Sequence, residues 1–171
     1  IIVKRGISNK GETKGEIIAR FENKPFSFTT SIHCLKIEDA SDSLLKSICA
    51  VLLSSVARYY FFLTCSGWGM WHDEIHLDEL GQFPIPSWLG KEDNEYIEKL
   101  ALLMDEINEY EDVTLFTPIK NNQRSIKELK GDIDEIVFDL YRLTKNERDL
   151  VKDMCSYGLD LFYKKSDSYA M

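Results

Sequence analysis

Ser41-Asp42-Ser43-Leu44-Leu45-Lys46-Ser47-Ile48-Cys49-Ala50-Val51-Leu52-Leu53-Ser54-Ser55-Val56-Ala57-Arg58-Tyr59-Tyr60 is the segment on which the reading of this chain turns. Leu44, Leu45, Ile48, Cys49, Leu52, Leu53, Val56 and Tyr59 or Tyr60 recur at steps of three and four, the period of a helix. The apolar stripe is wide, so the helix is expected to be mostly buried. Ser41 or Ser43 suits its N-cap, and Asp42 suits the positive end of its dipole. One continuous helix is expected, ending by Ser66-Gly67, because Gly67 and Gly69 oppose continuation.

On the N-terminal side the pattern changes to short β-prone runs. Ile1 to Arg5 and Glu16 to Glu22 read as two strands of a hairpin, with the polar, glycine-rich stretch 6–15 as its loop. Phe26 to Ile32 reads as a third strand, entered through Pro25. On the C-terminal side, Met70 to Ile75 reads as a further short strand and Leu80 to Pro86 as extended, since each proline pushes its predecessor out of the α region.

Beyond Pro84 and Pro86 the composition turns to charged helix. Tyr96, Leu100, Leu103, Ile107 and Tyr110 are spaced 4, 3, 4 and 3, with Ile97 and Met104 one heptad apart, a coiled-coil-like seam. Residues 112–124 read as a linker. Ser125 and Glu128 form a capping-box pattern that opens a helix with Ile126, Leu129, Ile133, Ile136, Val137 and Leu140 on one side, and Gly131 is expected to kink or split it. Thr144 and Glu147 form a second box opening a last helix, with Leu150, Val151, Met154, Leu161 and Phe162 inward and a frayed tail after Lys165. The expected class is therefore α+β: a small β-rich front with a buried helix, then about three helices. The expected division is an α/β module over 1–88 and a helical module over 89–171.

Composition narrows the function. The 171 residues carry a net charge of −8. Residues 1–45 hold seven basic and six acidic side chains, whereas 91–171 hold twelve and nineteen, so the acidity lies at the rear. A locally basic face can still meet a polyanion. The most apolar run, Ile48 to Cys65, is interrupted by Ser54, Ser55 and Arg58, so no membrane span is expected. Lys4, Arg5, Lys10 and Lys14 break up any signal-peptide pattern. The chain starts at Ile1, and a piece of a longer protein is expected. Cys34, Cys49, Cys65 and Cys155 form no C-x-x-C pair, which fits reduced thiols in the cytoplasm.

Catalytic patterns are thin. His72 and His76 stand four apart, but Asp73 takes the place where a zincin needs Glu, and Ile75 the place where the inverted order needs it. Cys65 and His72 lack a third orienting group. Gly67-x-Gly69 follows a helix and lacks the third glycine of a dinucleotide-binding loop. More unusual is Ser66-Gly67-Trp68-Gly69-Met70-Trp71-His72, which sets two large rings on a glycine turn, suited to a core or to a recognition surface.

The order of these segments resembles a known family. A helix with Leu52-Leu53-Ser54-Ser55 and Arg58-Tyr59-Tyr60, then Ser66-Gly67-Trp68-Gly69, then Leu80-x-x-Phe83-Pro84-Ile85-Pro86, is similar to the C-terminal target-recognition region of N6-adenine DNA methyltransferases. Those enzymes belong to restriction–modification and related phage-defence systems. The stretch Ile133-Asp134-Glu135-Ile136-Val137-Phe138-Asp139-Leu140-Tyr141-Arg142-Leu143-Thr144-x-x-Glu147 resembles their closing segment. Ser54 stands where the family has Asn, and Arg142 where Gly is common. The Asn-Pro-Pro-Tyr motif that holds the flipped adenine does not occur here, the four prolines being Pro25, Pro84, Pro86 and Pro118.

The resemblance implies recognition of double-stranded DNA by this chain, with the chemistry on an N-terminal catalytic domain. It implies S-adenosylmethionine as the parent's cofactor, no cofactor or metal in this chain, and no membrane partner; an endonuclease can be fused to the parent. On this reading Lys4, Arg5, Lys10, Lys14, Arg20 and Lys24 contact phosphates, while Asn9, Trp68, Trp71 and His72 read bases. Two other readings are a scaffold that binds protein partners through its acidic helices, and a metal-dependent hydrolase at His72 and His76.

Overall fold

The computed structural model describes residues 1–8, 14–69, 73–87, 89, 95–111 and 124–166. Its class is α+β, a small antiparallel sheet at the front with helices behind it. Strand β1 (Ile2–Lys4) lies between β2 (Ala19–Arg20) and β3 (Ile32–Cys34). Val3 faces Ala19 and His33, Ile2 faces Arg20 and Cys34, and Lys4 faces Ile32. Ile1, Val3, Ile17, Ala19 and Phe21 are buried at every second position, so one face of the hairpin is committed to the core even beyond the short ladder.

The third strand starts later than its alternation predicts. Arg5 N–H donates to the Ser31 carbonyl (2.9 Å), but two residues on Ile7 N–H donates to Asp73 (2.7 Å), and Ile75 N–H returns to Arg5 (3.0 Å). Gly6 bridges Glu74. The edge that Phe26 to Thr30 would occupy is thus filled by residues 73–75, and 23–31 stays outside as exposed, irregular chain. Of the strand expected over 70–75, residues 70–72 lie outside the described set.

The central helix is two helices, α1 (Asp42–Leu53) and α2 (Ser55–Thr64), bent by 62° at Ser54. Ser54 is extended and buried; its hydroxyl donates to the Val51 carbonyl (2.7 Å) and accepts from Ala57 N–H (3.3 Å). A serine inside a helix offers the backbone such competing bonds, and this one ends α1 while capping α2. Apolar periodicity alone ran through the break because Leu53 and Val56 continue the stripe. No helix among the described residues is long and apolar enough to cross a membrane.

A five-residue helix, α3 (Leu77–Gly81), occupies part of the stretch expected to be extended. Leu80 is buried on it, and the extended path begins only beyond Phe83. Helix α4 (Glu95–Glu111) lays Leu100, Leu103, Met104 and Ile107 into the core against α1, with Lys46 and Asp105 joined across the contact (2.9 Å). Tyr110, expected in the seam, is exposed.

Helix α5 (Ile126–Leu140) opens with the expected box, Ser125 N–H donating to Glu128 (2.8 Å) and Glu128 N–H to Ser125 Oγ (3.2 Å). It runs unbroken through Gly131. An exposed glycine costs a helix only about 1 kcal/mol, less than the burial of Leu129, Ile133 and Val137 around it returns. Thr144 and Glu147 open α6 (Lys145–Asp153), which passes through a π turn (Met154–Gly158) into α7 (Leu159–Ser166).

The π turn shifts the phase of the last helix, so its inward face is Val151, Cys155, Leu159 and Tyr163, always four apart. Leu150 and Leu161, expected inside, are 53% and 62% exposed. The expected linker over 112–123 and the tail over 167–171 lie outside the described residues. One hydrophobic cluster joins Val3, Phe61, Phe83, Leu100, Ile133 and Leu159, so the stretches on either side of Pro84 share a core.

Candidate nucleic-acid interface

The glycine–tryptophan turn is held from several sides. Ser66 N–H and hydroxyl both donate to Glu79 (2.7 and 2.8 Å), and Gly69 N–H donates to Asp73 (2.7 Å). Burial works against the charge of Glu79, but the bonds from His76 and Ser66 prevail and hold its carboxyl down at about 2. Gly69 has φ +77°, and a Cβ there would run into the Phe162 ring.

Trp68, the ring of this turn within the described residues, is 7% exposed. Its indole N–H donates to the Tyr163 hydroxyl (3.1 Å) and its ring meets Phe62 in a T-shaped contact, centroids 5.5 Å apart. The expectation that Trp68 reads bases is corrected accordingly: its ring and its one donor both serve the core. Trp71, His72, Asn9 and Lys10 lie outside the described residues.

The remaining predicted cations divide by the pleat. Strand register puts Ile2, Lys4 and Arg20 on the solvent side of the sheet, with Ile18 and Cys34 exposed beside them. Arg20 approaches Glu22 (3.8 Å), and Lys4 has no ion-pair partner among the described residues. Arg5, the next residue along, turns to Glu74 (2.8 Å). Lys14 lies elsewhere, drawn to Asp160 of α7 at 3.8 Å. Lys24 sits in the exposed stretch 23–31, its backbone N–H on Glu22 (3.0 Å). The structure thus gathers Lys4 and Arg20, and separates Arg5 and Lys14 from them.

The same exposed stretch holds a pair that sequence reasoning assigned to a strand. Phe26 and Phe28 are 42% and 54% exposed, with ring centroids 5.8 Å apart. Their i, i+2 spacing was the available signal: it does put both rings on one side, but that side faces solvent. Exposed aromatic rings near cations are a composition that meets nucleic acid, where rings stack on bases or wedge between them.

The segments that carry the family resemblance are fastened to one another. Ser55 N–H and hydroxyl both donate to the Asp134 carboxylate at 2.6 Å. Tyr141 Oη donates to the Pro84 carbonyl (2.9 Å) and Tyr60 Oη to the Gln82 carbonyl (3.2 Å). Burial pushes Asp134 up, against the bonds from Ser55 that lower it. At the end of α5, Arg142 has φ +55°, the left-handed conformation for which glycine is the easiest residue.

His72, shared by both catalytic patterns of the sequence, lies outside the described residues. Burial first, and then the charge of Glu79, push the Cys65 thiol up to about 12, so it stays protonated at neutral pH. His33 engages the Ile75 carbonyl at 2.9 Å, and His76 precedes α3 as its cap residue. No group of three His, Cys, Asp or Glu among the described residues could hold a metal ion. Comparisons with family models, with curated proteins and with solved structures return no match for this chain.

Proposed function

We propose that this chain is the target-recognition part of a cytoplasmic N6-adenine DNA methyltransferase of the restriction–modification type. It docks on double-stranded DNA and positions an adenine for a catalytic domain that carries S-adenosylmethionine. The observation that carries the reading is the joining of the resemblance segments. Ser55 to Asp134 and Tyr141 to Pro84 are distant in sequence yet joined by hydrogen bonds, while Lys4, Lys24, Phe26 and Phe28 are exposed and Arg20 is half-buried. The cations hold phosphates without reading sequence, and the two rings pack on or between bases.

The test is a titration of a labelled mixed-sequence duplex with this chain at 50 and 200 mM salt. Binding that weakens steeply with salt, and weakens further in Lys4→Ala/Arg20→Ala/Lys24→Ala, is expected. Absence of binding at the lower salt concentration overturns the reading. A scaffold for protein partners is the second reading, favoured by the outward Leu150, Tyr157 and Leu161 on the last helix. In that case protein-partner binding persists while duplex binding is absent.

A further inference from the structure

The knot between Ser55 and Asp134 floors a cleft of about 790 Å³, lined by the hairpin arm, the start of α2, α5, α6 and the π turn. Its size falls in the range of about 300–1,000 Å³ that small-ligand clefts occupy. Its charge is unlike that of the chain. In a protein of net −8, the lining collects Lys14, Arg58, Lys127, Lys130 and Lys152 against Glu16, Asp134 and Asp160.

The three carboxylates are already engaged. Asp134 accepts both bonds from Ser55, Glu16 meets Lys130 (2.7 Å), and Asp160 is held by Lys164 (2.5 Å) with Lys14 at 3.8 Å. Of the cations, Lys130 and Lys14 are the partners in two of these pairs, and Lys152 pairs with Glu135 (2.8 Å) outside the cleft lining. Lys127 has no ion-pair partner among the described residues. Arg58 spends one Nη on the Lys14 carbonyl, while its Nε is buried without a hydrogen-bond acceptor. That Nε packs beneath Gly15, so what Arg58 offers the cleft is the charge of its guanidinium. Guanidinium and ammonium groups converging on one cavity are the donors that phosphate oxygens take.

We infer that this cleft is a phosphate-binding site. Resting on the function proposed above, its occupant is the phosphodiester backbone of the DNA. Sequence reading had no access to the site, because its cations come from segments up to more than a hundred residues apart and are hidden in an acidic composition.

The experiment compares the chain with two variants, Lys127→Gln/Lys130→Gln/Lys152→Gln and Lys4→Ala/Arg20→Ala/Lys24→Ala, in duplex titrations across a salt series. Pyrophosphate is added separately and followed by amide chemical shifts. The cleft variant is expected to lose roughly tenfold or more in duplex affinity and about 2 to 3 from the log–log salt slope, since each phosphate contact contributes about 0.9. Pyrophosphate should shift amides around Arg58 and Lys127 in the parent chain and not in the variant.

Thermal melts check folding, and Lys127→Gln alone, which breaks no ion pair among the described residues, should lose about threefold. Unchanged duplex affinity in the cleft variant, with loss in the sheet variant, overturns the cleft and leaves DNA recognition standing. Pyrophosphate binding without duplex binding keeps the cleft as a site for a free phosphate compound and removes the DNA reading. No response to either probe removes both.

Discussion

Glu79 ties two local structures together. One oxygen receives the N–H and hydroxyl of Ser66 (2.7 and 2.8 Å), and the other receives the N–H of His76 (2.9 Å), so the tryptophan turn and α3 share an anchor. These bonds require the ionised form, which is why the carboxyl sits at about 2 instead of its ordinary value near 4.5. A folded value below the unfolded one adds stability that is complete above the unfolded value and lost as pH falls through the folded one. Glu79→Gln is therefore expected to lower stability by about 1 kcal/mol at pH 7, with the gap to the parent closing between about pH 4.5 and pH 2. Urea denaturation at a series of pH values measures it; a gap that persists unchanged at pH 2 contradicts the assignment. The turn residues and the helix caps around Glu79 are recognisable as types in the sequence, but their shared partner is not, because thirteen residues separate Ser66 from Glu79.

At the scale of elements, local chemistry reads well and phase reads poorly. The capping boxes at Ser125 and Thr144 start helices where their spacing places them, because both partners lie within one turn. Arg142 sits in the left-handed position after α5 where the resembled family has Gly, and Leu143 N–H reaches back to Phe138 (2.9 Å), a helix end legible from local rules. The bend at Ser54 and the π turn at Met154–Gly158 were not legible, since each leaves the apolar residues at helical spacing on both sides.

The bend depends on an acceptor from a distant helix. Asp134 takes the N–H and hydroxyl of Ser55 at the start of α2, where the dipole favours an anion. Asp134→Ala is expected to cost about 2–3 kcal/mol, the loss of two hydrogen bonds to a charged group and the exposure of an unsatisfied donor. Asp134→Asn, which keeps one acceptor, should cost less. Chemical denaturation of both variants decides the point, and equal stabilities for the parent and Asp134→Ala would show that α2 is capped without it.

Across the whole molecule, one core determines which side chains meet the outside. Cys49, Cys65 and Cys155 are buried in three different helical regions, while Cys34 ends an edge strand and is exposed. Burial pushes Cys155 up to about 11, as it does Cys65 to about 12, so both thiols are shielded and protonated. Iodoacetamide at pH 8 is expected to label Cys34 first and the other three only after denaturation, read by mass spectrometry of the digested chain. Fast labelling of Cys65 in the native protein would mean that the α2 end opens in solution.

Read by itself, the sequence determined the class, the burial and helical period of the central apolar segment, the helical rear and the caps, because periodicity and capping act within a few residues of chain. Tertiary structure alone decided the rest. It placed Asp73–Ile75 on the sheet edge instead of Phe26–Thr30, put Trp68 inside and Phe26 and Phe28 outside, and drew five cations into one cleft. Competition for a strand edge, for core volume and for a distant carboxylate is settled between segments that no local pattern connects.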